Sequence, residues 1–146
     1  MKTTREDIRQ LILDKLESIV DEEGNSIFGD IFDYPEAKFE NYPVAVIMSK
    51  GIEGEILDTS RNQRTFKFTI DLYQEQTKAG RTPEEAEKIM GRASDKIIEA
   101  FDTDQDLGGE VLMVRIVNAV FDFKVAEGTF NFATFEIDCV SIVENY

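Results

Sequence analysis

The sequence contains no histidine and no tryptophan, and it has a single cysteine, Cys139. The Ser-His-Asp and Cys-His arrangements that activate a nucleophile need histidine as their base, so both are excluded. The common zinc sites are excluded for the same reason. One cysteine cannot form a disulfide within the chain, which fits a reducing compartment. We therefore expect a protein that is not an enzyme, with no catalytic residues, no cofactor and no metal ion.

Cys139 lies in an alternating apolar run, residues 135–140. Free cysteines are among the most buried residues of folded proteins, and a reactive thiol needs a base or a positive charge beside it. The run supplies neither, so we interpret Cys139 as a buried structural thiol.

Long hydrophobic runs are also absent, since no stretch approaches the roughly 18 apolar residues of a membrane-spanning helix. The first residues show no apolar signal segment, so we expect no membrane partner and a protein kept inside the cell that makes it. The 146 residues fit one domain, 1–146, and 11 Phe and 4 Tyr can furnish its core.

Basic residues are scarce: 16 Lys and Arg stand against 30 Asp and Glu, and the formal net charge is −14. A phosphate backbone binds basic surfaces, which argues against nucleic acid as a tightly held partner. The acidity favours solubility and slows non-specific association, although a halophilic habit is an alternative explanation. Protein is therefore the expected ligand.

Two segments show the apolar period of an amphipathic helix. The first, residues 5–22, follows the capping residue Thr4, and a Gly-Asn pair ends its pattern. The second begins with Thr82 as N-cap and Pro83 at the first helical position, and it ends before Asp102.

Short apolar runs and alternating segments predict the strands. The element order predicts an α+β fold, in which two amphipathic helices pack on one face of a largely antiparallel β-sheet of four to six strands. Glycines 51 and 54 are expected to bracket a turn, and Glu127-Gly128 to connect a hairpin. The strand-like segments are 44–48, more weakly 55–57, 64–74, 111–117, 120–125 and 129–143.

The sequence does not indicate a single way of packing for two regions, the segment 24–42 and the last strand. Residues 24–42 are irregular and rich in aromatic side chains, which we interpret as a loop that pins itself to the core. In the last strand, Phe130 and Phe132 occupy even positions, whereas Phe135 and Ile137 occupy odd ones. In a regular strand the two pairs therefore lie on opposite faces. Either both faces of that strand are partly covered, or a bulge near residues 133–134 resets the register.

An acidic loop follows the second helix, with Asp102, Asp104 and Asp106 at positions 1, 3 and 5 of a potential calcium loop. Leu107 stands where an EF-hand needs glycine, and Met113 where it needs glutamate, so an EF-hand is excluded. We interpret residues 102–110 as a solvated loop, with opportunistic calcium binding as the alternative.

Three arginines stand out in so acidic a chain: Arg61, Arg64 and Arg115. They either form local ion pairs on a solvent-facing surface or reach an acidic patch on a neighbouring copy, since arginine is enriched at interface anchors. The loops 52–64 and 102–110 are therefore candidate interfaces, and the aromatic stretch 28–42 is the alternative docking surface. The candidate interface residues are Arg61, Arg64, Arg115, Asp102, Asp104 and Asp106.

The layout as a whole resembles that of a known family. An amphipathic helix leads to the aromatic loop and Tyr42-Pro43-Val44-Ala45-Val46, and an Arg-containing loop precedes Thr65-Phe66-Lys67-Phe68-Thr69-Ile70-Asp71-Leu72-Tyr73-Gln74. A helix, an Asp-rich turn and an alternating hairpin ending at Tyr146 complete it. Across essentially all residues the chain resembles the tail terminator, or tail completion, proteins of long-tailed phages, the group that includes lambda's minor tail protein U.

This resemblance implies a structural virion protein without catalytic residues. Such proteins form a hexameric ring on the head-proximal end of the tail tube, stop its polymerisation and provide the surface that joins the head. The implied partners are further copies of the chain, the major tail tube protein and a head–tail connector or neck protein. The implied location is the tail or neck of a virion assembled in the host cytoplasm. DNA would only pass through the ring, which acidic charge facing the lumen would suit.

Two alternatives remain to this function. Another head–tail connector or neck protein would share the size and composition and differ in its partner. A small binding module would need a pocket with convergent polar groups, and the sequence displays none.

Overall fold

A computed structural model describes residues 1–36, 38–76, 82–125 and 129–144 of the chain. Five strands form one sheet in the order β1-β2-β3-β5-β4, in which β1 runs parallel to β2 and the other neighbours are antiparallel. The fold is α+β as predicted, with both helices packed on one face of the sheet. The elements are α1 (Arg5–Glu17), β1 (Asp30–Phe32), β2 (Val44–Ile56), β3 (Arg61–Glu75), α2 (Pro83–Asp102), β4 (Met113–Val125) and β5 (Thr129–Glu144).

Both helices begin as the sequence predicts. The Thr4 hydroxyl accepts a hydrogen bond from the Asp7 amide, and the Thr82 hydroxyl accepts one from the Glu85 amide, each at 3.2 Å. α1 is shorter than predicted, because it ends at Glu17. The Asp21 carboxylate accepts two backbone N–H bonds in the following turn, which offers the chain an alternative to another helical turn.

The core lies between the helices and one face of the sheet, here called the helix side. β3 and β5 supply its centre, and their unbroken register places Phe68 opposite Ile137 and Ile70 opposite Phe135. Phe132 lies opposite Tyr73 on the other face, here called the open side. Of the two alternatives for β5, coverage of both faces is therefore correct. Cys139 is buried in the core, as predicted.

The edges of the sheet differ from the prediction. β2 is one strand that continues through Gly51 and Gly54, because a bulge at residues 49–51 absorbs the irregularity, with Gly51 at φ 153°. Likewise β4 is one strand, with a bulge between Ile116 and Asn118, where two strands were expected. The Glu127-Gly128 connection and Tyr146 lie outside the described residues.

β1 was not predicted at all. It lies within the stretch that the sequence indicates to be irregular, and it pairs with the start of β2 from Asp30 to Phe32. A Cβ at Gly29 would lie 2.1 Å from the Asn41 carbonyl oxygen, so the backbone can approach this closely only with glycine. The short strand thus depends on a contact between two parts of the loop that are far apart in sequence.

Candidate assembly surfaces

Beyond the helices, β2 and β3 extend as a hairpin, residues 51–65, here called the arm, and the end of β5 pairs with its β3 strand. On β2 the whole of 51–56 is exposed, including the large apolar side chains Ile52 and Ile56. Among the described residues only β3 pairs with this part of β2, since β1 reaches no further than Val46. The expected loop 52–64 is therefore mostly β-structure, and its turn is confined to residues 57–60.

The turn of the arm is organised by Asp58. Its carboxylate accepts hydrogen bonds from the amides of Ser60 and Arg61 and from the Arg61 guanidinium, at 2.8–2.9 Å. The Ser60 amide and the Arg61 guanidinium together lower the pKa of Asp58 to about 2, since both favour the ionised form. Arg61, a candidate interface residue, is thus paired within its own turn while its side chain stays half exposed.

Arg64 and Arg115 lie on different faces of the sheet. Arg64 lies on the helix side of the arm, between Gly54 and Ser141 in the register. Arg115 lies on the open side of β4, opposite Asp138. Both are exposed, and within the described part of the chain neither guanidinium has a hydrogen bond or an ion pair. These two positive charges are therefore available to a partner.

β4 forms the second edge of the sheet. It is hydrogen-bonded to β5, and no described strand lies on its other side. An exposed edge with few charges is a template for pairing with another chain, and natural proteins protect such edges unless they use them. The exposed large apolar side chains on and beside β4 are Leu112, Met113, Val117, Val120 and Phe121.

The acidic loop after α2 is tied to α1. The Asp104 carboxylate lies 3.1 Å from Lys15 Nζ and accepts the Gly108 amide at 2.9 Å, and these two contacts lower its pKa, the amide most. Leu107 is buried at φ 48°, which turns the chain back to the core. Asp102, the last residue of α2, and Asp106 remain exposed. Asp104 therefore has a structural contact, and within the described residues no three metal-ligating side chains converge.

The aromatic loop contributes to both faces of the sheet: Phe28 is buried in the main core, whereas Phe39 and Tyr42 pack on the open side. The Phe39 ring lies 4.9 Å from that of Tyr73, which lies 4.9 Å from Phe132, and Tyr42 contacts Phe130 at 5.9 Å. Burial, with a smaller contribution from the Asp71 carboxylate, raises the pKa of Tyr73. Phe28 therefore pins the loop to the core as expected, and the other rings form a second layer on the face of the sheet opposite the helices.

Two further features are the thiol of Cys139 and a groove on the open side of the sheet. Burial raises the pKa of the Cys139 thiol to about 12, so it carries no thiolate near neutral pH. A groove of about 350 Å³ crosses the open side beside Thr69, and its Lys67 lies 3.5 Å from Asp138 and 3.8 Å from Glu53. Neither described helix is both long and apolar enough to cross a lipid bilayer.

Comparison with known proteins adds no assignment to this geometry: no protein-family model and no curated protein matches the chain.

Proposed function

We propose that this protein is a structural assembly subunit that closes into a ring and caps the head-proximal end of a phage tail tube. In that role it stops tube polymerisation and provides the surface for head joining, without catalysis. One observation carries the assembly part of this proposal: in the described residues β4 and the arm portion of β2 each have an edge without a neighbouring strand, and both expose large apolar side chains. Two different surfaces that bind each other form a heterologous interface, which generates a ring when the rotation closes.

The resemblance of the chain to tail terminators supplies the more specific part of the proposal. It makes six the expected number of copies, and the major tail tube protein and the head–tail connector the expected partners. The net charge of −14 supports protein partners over a firmly bound nucleic acid. A ring with a neutral or basic lumen would contradict the expected free passage of DNA.

Light scattering coupled to size exclusion tests the ring, over a range of protein concentration. We expect one discrete species near six times the 16.6 kDa chain mass, or rings on the ends of purified tail tubes seen by electron microscopy. A protein that stays monomeric at all concentrations and leaves tube ends bare would overturn the proposal. A ring that binds only the head side would indicate a different connector or neck protein.

The arm provides a second test of assembly. Replacing Arg61 and Arg64 by Glu is expected to weaken ring formation and tail-length control while the circular dichroism spectrum stays unchanged, because both side chains are exposed. The matched control reverses two exposed charges elsewhere, Arg5→Glu with Arg92→Glu. If the arm variant assembles as well as the control, these two arginines have no part in assembly.

A further inference from the structure

We propose that neighbouring copies join by β-strand pairing, with the open edge of β4 in one copy hydrogen-bonded to the arm portion of β2 in the next. The sheet then continues from subunit to subunit around the ring. This inference rests on the proposed self-assembly and specifies its interface. Its occupant is a second copy of the same chain.

Both strands have backbone groups available for such pairing. β1 covers β2 from Val44 to Val46, so residues 51–56 have β3 on one side and no described strand on the other. β4 has β5 on one side and no described strand on the other. Each edge thus presents a row of N–H and C=O groups that a neighbouring strand can satisfy.

The strand directions favour this pairing. β2 is antiparallel to β3, β3 to β5, and β5 to β4, so β4 runs opposite to β2. Rotation about an axis roughly along the strands keeps those directions, and it brings the β4 of one copy antiparallel to the β2 of the next. Antiparallel pairing is the slightly more stable arrangement of two strands.

The charges on the open side of the two edges are complementary. Arg115 lies on that face of β4 and has no ion pair in the described residues. Glu53 and Glu55 lie on the same face of the arm, opposite Thr65 and Gln63. The Glu53 side chain is 73% exposed and its carboxylate is 3.8 Å from Lys67. In a continued sheet, facing side chains share a face, so Arg115 meets this acidic pair.

The apolar side chains on the helix side fit the same register. Side chains on a strand alternate, so placing Arg115 opposite Glu53 in an antiparallel pair places Ile116 opposite Ile52. It also places Leu112 opposite Ile56. Ile52 and Ile56 are 50% and 80% exposed and Leu112 is 49% exposed. One register therefore joins opposite charges on the open side and covers exposed apolar groups on the helix side. The pairing is limited to residues 112–117, because further along β4 the same register would place residues 122–124 where β1 pairs with Val44–Val46, so the two strands separate at the bulge after Ile116.

A charge swap between two variants tests the contact. The first variant carries Arg115→Glu, and the second carries Glu53→Arg with Glu55→Arg. Each alone places like charges across every interface, so we expect each to need about tenfold more protein to assemble than the unmodified chain. Mixed in equal amounts, they form an alternating ring in which every interface again has opposite charges. We expect the mixture to recover assembly, measured by light scattering.

Controls separate this contact from a general effect of charge. Arg92→Glu matches the first variant, and Glu22→Arg with Glu23→Arg matches the second, at exposed positions away from both edges. These controls are expected to assemble normally and to gain nothing from mixing. If either edge variant assembles as well as its control, or the mixture fails to recover assembly, the proposed pairing is overturned.

A disulfide provides a test that does not depend on charge. Ile56→Cys with Leu112→Cys is expected to give covalent chains of many subunits on oxidation, while each single variant stays at or below the dimer. The buried thiol of Cys139 does not compete. Absence of cross-linked species beyond the dimer would overturn the register. If the unmodified chain assembles while these tests fail, only the pairing is wrong; if it never assembles, the proposed function fails as well.

Discussion

The two halves of β2 have the same partner strand but opposite surroundings. From Val44 to Ile47 every residue is buried, whereas residues 51–56 are all exposed. α1 and β1 cover the first half, and the bulge at 49–51 marks the point beyond which neither described helix covers the strand. The first half therefore contributes to folding, while the second half is free to contribute to assembly.

The covered half of the sheet is also protected on its other face. The helices bury one side of β3 and β5, and the aromatic loop covers part of the open side around Tyr73. No similar layer covers the arm in the described residues. Four predictions test this contrast between the covered sheet and the arm, and they follow in order of decreasing effect.

Ile47 and Ile56 provide the largest contrast, because they are the same residue on the same strand at 0% and 80% exposure. Ile47→Ala is expected to lower the free energy of unfolding by about 2–5 kcal/mol, through lost burial and a residual cavity. Ile56→Ala is expected to change it by less than about 0.5 kcal/mol. Urea denaturation at low protein concentration measures both. Equal losses in the two variants would contradict the division of β2.

Phe39 tests whether the aromatic layer stabilises the fold. Phe39→Ala is expected to cost about 1–2 kcal/mol, less than a core phenylalanine, because its ring is half buried among Phe32, Tyr42 and Tyr73. Tyr34→Ala is the control, since Tyr34 is half exposed and, among the described residues, its ring contacts that of Phe32 alone. Thermal denaturation should separate the two. A Phe39 variant as stable as the Tyr34 variant would indicate that the layer is not part of the folding unit.

Lys15 tests the link between α1 and the acidic loop. Lys15→Met keeps the apolar part of the side chain and removes the contact with Asp104, so we expect a loss of at most about 1 kcal/mol. The same change at Lys88 removes an exposed pair with Glu84 and is expected to cost less than about 0.5 kcal/mol. Denaturation at low and high salt compares the two. A larger loss at Lys88 would contradict the link.

Asp58 is expected to affect the arm alone. The pKa of Asp58 is lowered to about 2 from an ordinary value of 3.8. The ionised carboxylate therefore stabilises the turn fully above about pH 4, and this stabilisation is lost as the pH falls through about 2. In NMR titrations the Ser60 and Arg61 amides should therefore stay unshifted until below about pH 3. Asp58→Asn should remove this titration and leave global stability unchanged. A midpoint near 3.8 would show that the turn does not hold the carboxylate.

Patterns within a few residues of the sequence correctly predicted the starts of both helices and the centre of the longest predicted alternating strand before α2. Thr4 and Thr82 start both helices, and the alternation around Phe68 marks the centre of β3. β1 and the continuous β2 were missed, because Gly29 and Gly51 usually indicate turns and only pairing with other strands makes them part of the sheet. Among the candidate interface residues, Arg64 and Arg115 are exposed and have no ion pair within the described residues, whereas Asp104 contacts Lys15. Their part in an interface stays a prediction.

By itself the sequence determined the class of fold, the start of each helix, the burial of Cys139 and the expectation of a protein that acts without histidine chemistry. These features depend on residue type and on the spacing of apolar residues within one element. Only the tertiary structure decided which face of β5 meets the helices, where the aromatic loop packs and which strands form the edges of the sheet. Those features depend on contacts between residues far apart in sequence, since strand order and register are set by long-range pairing.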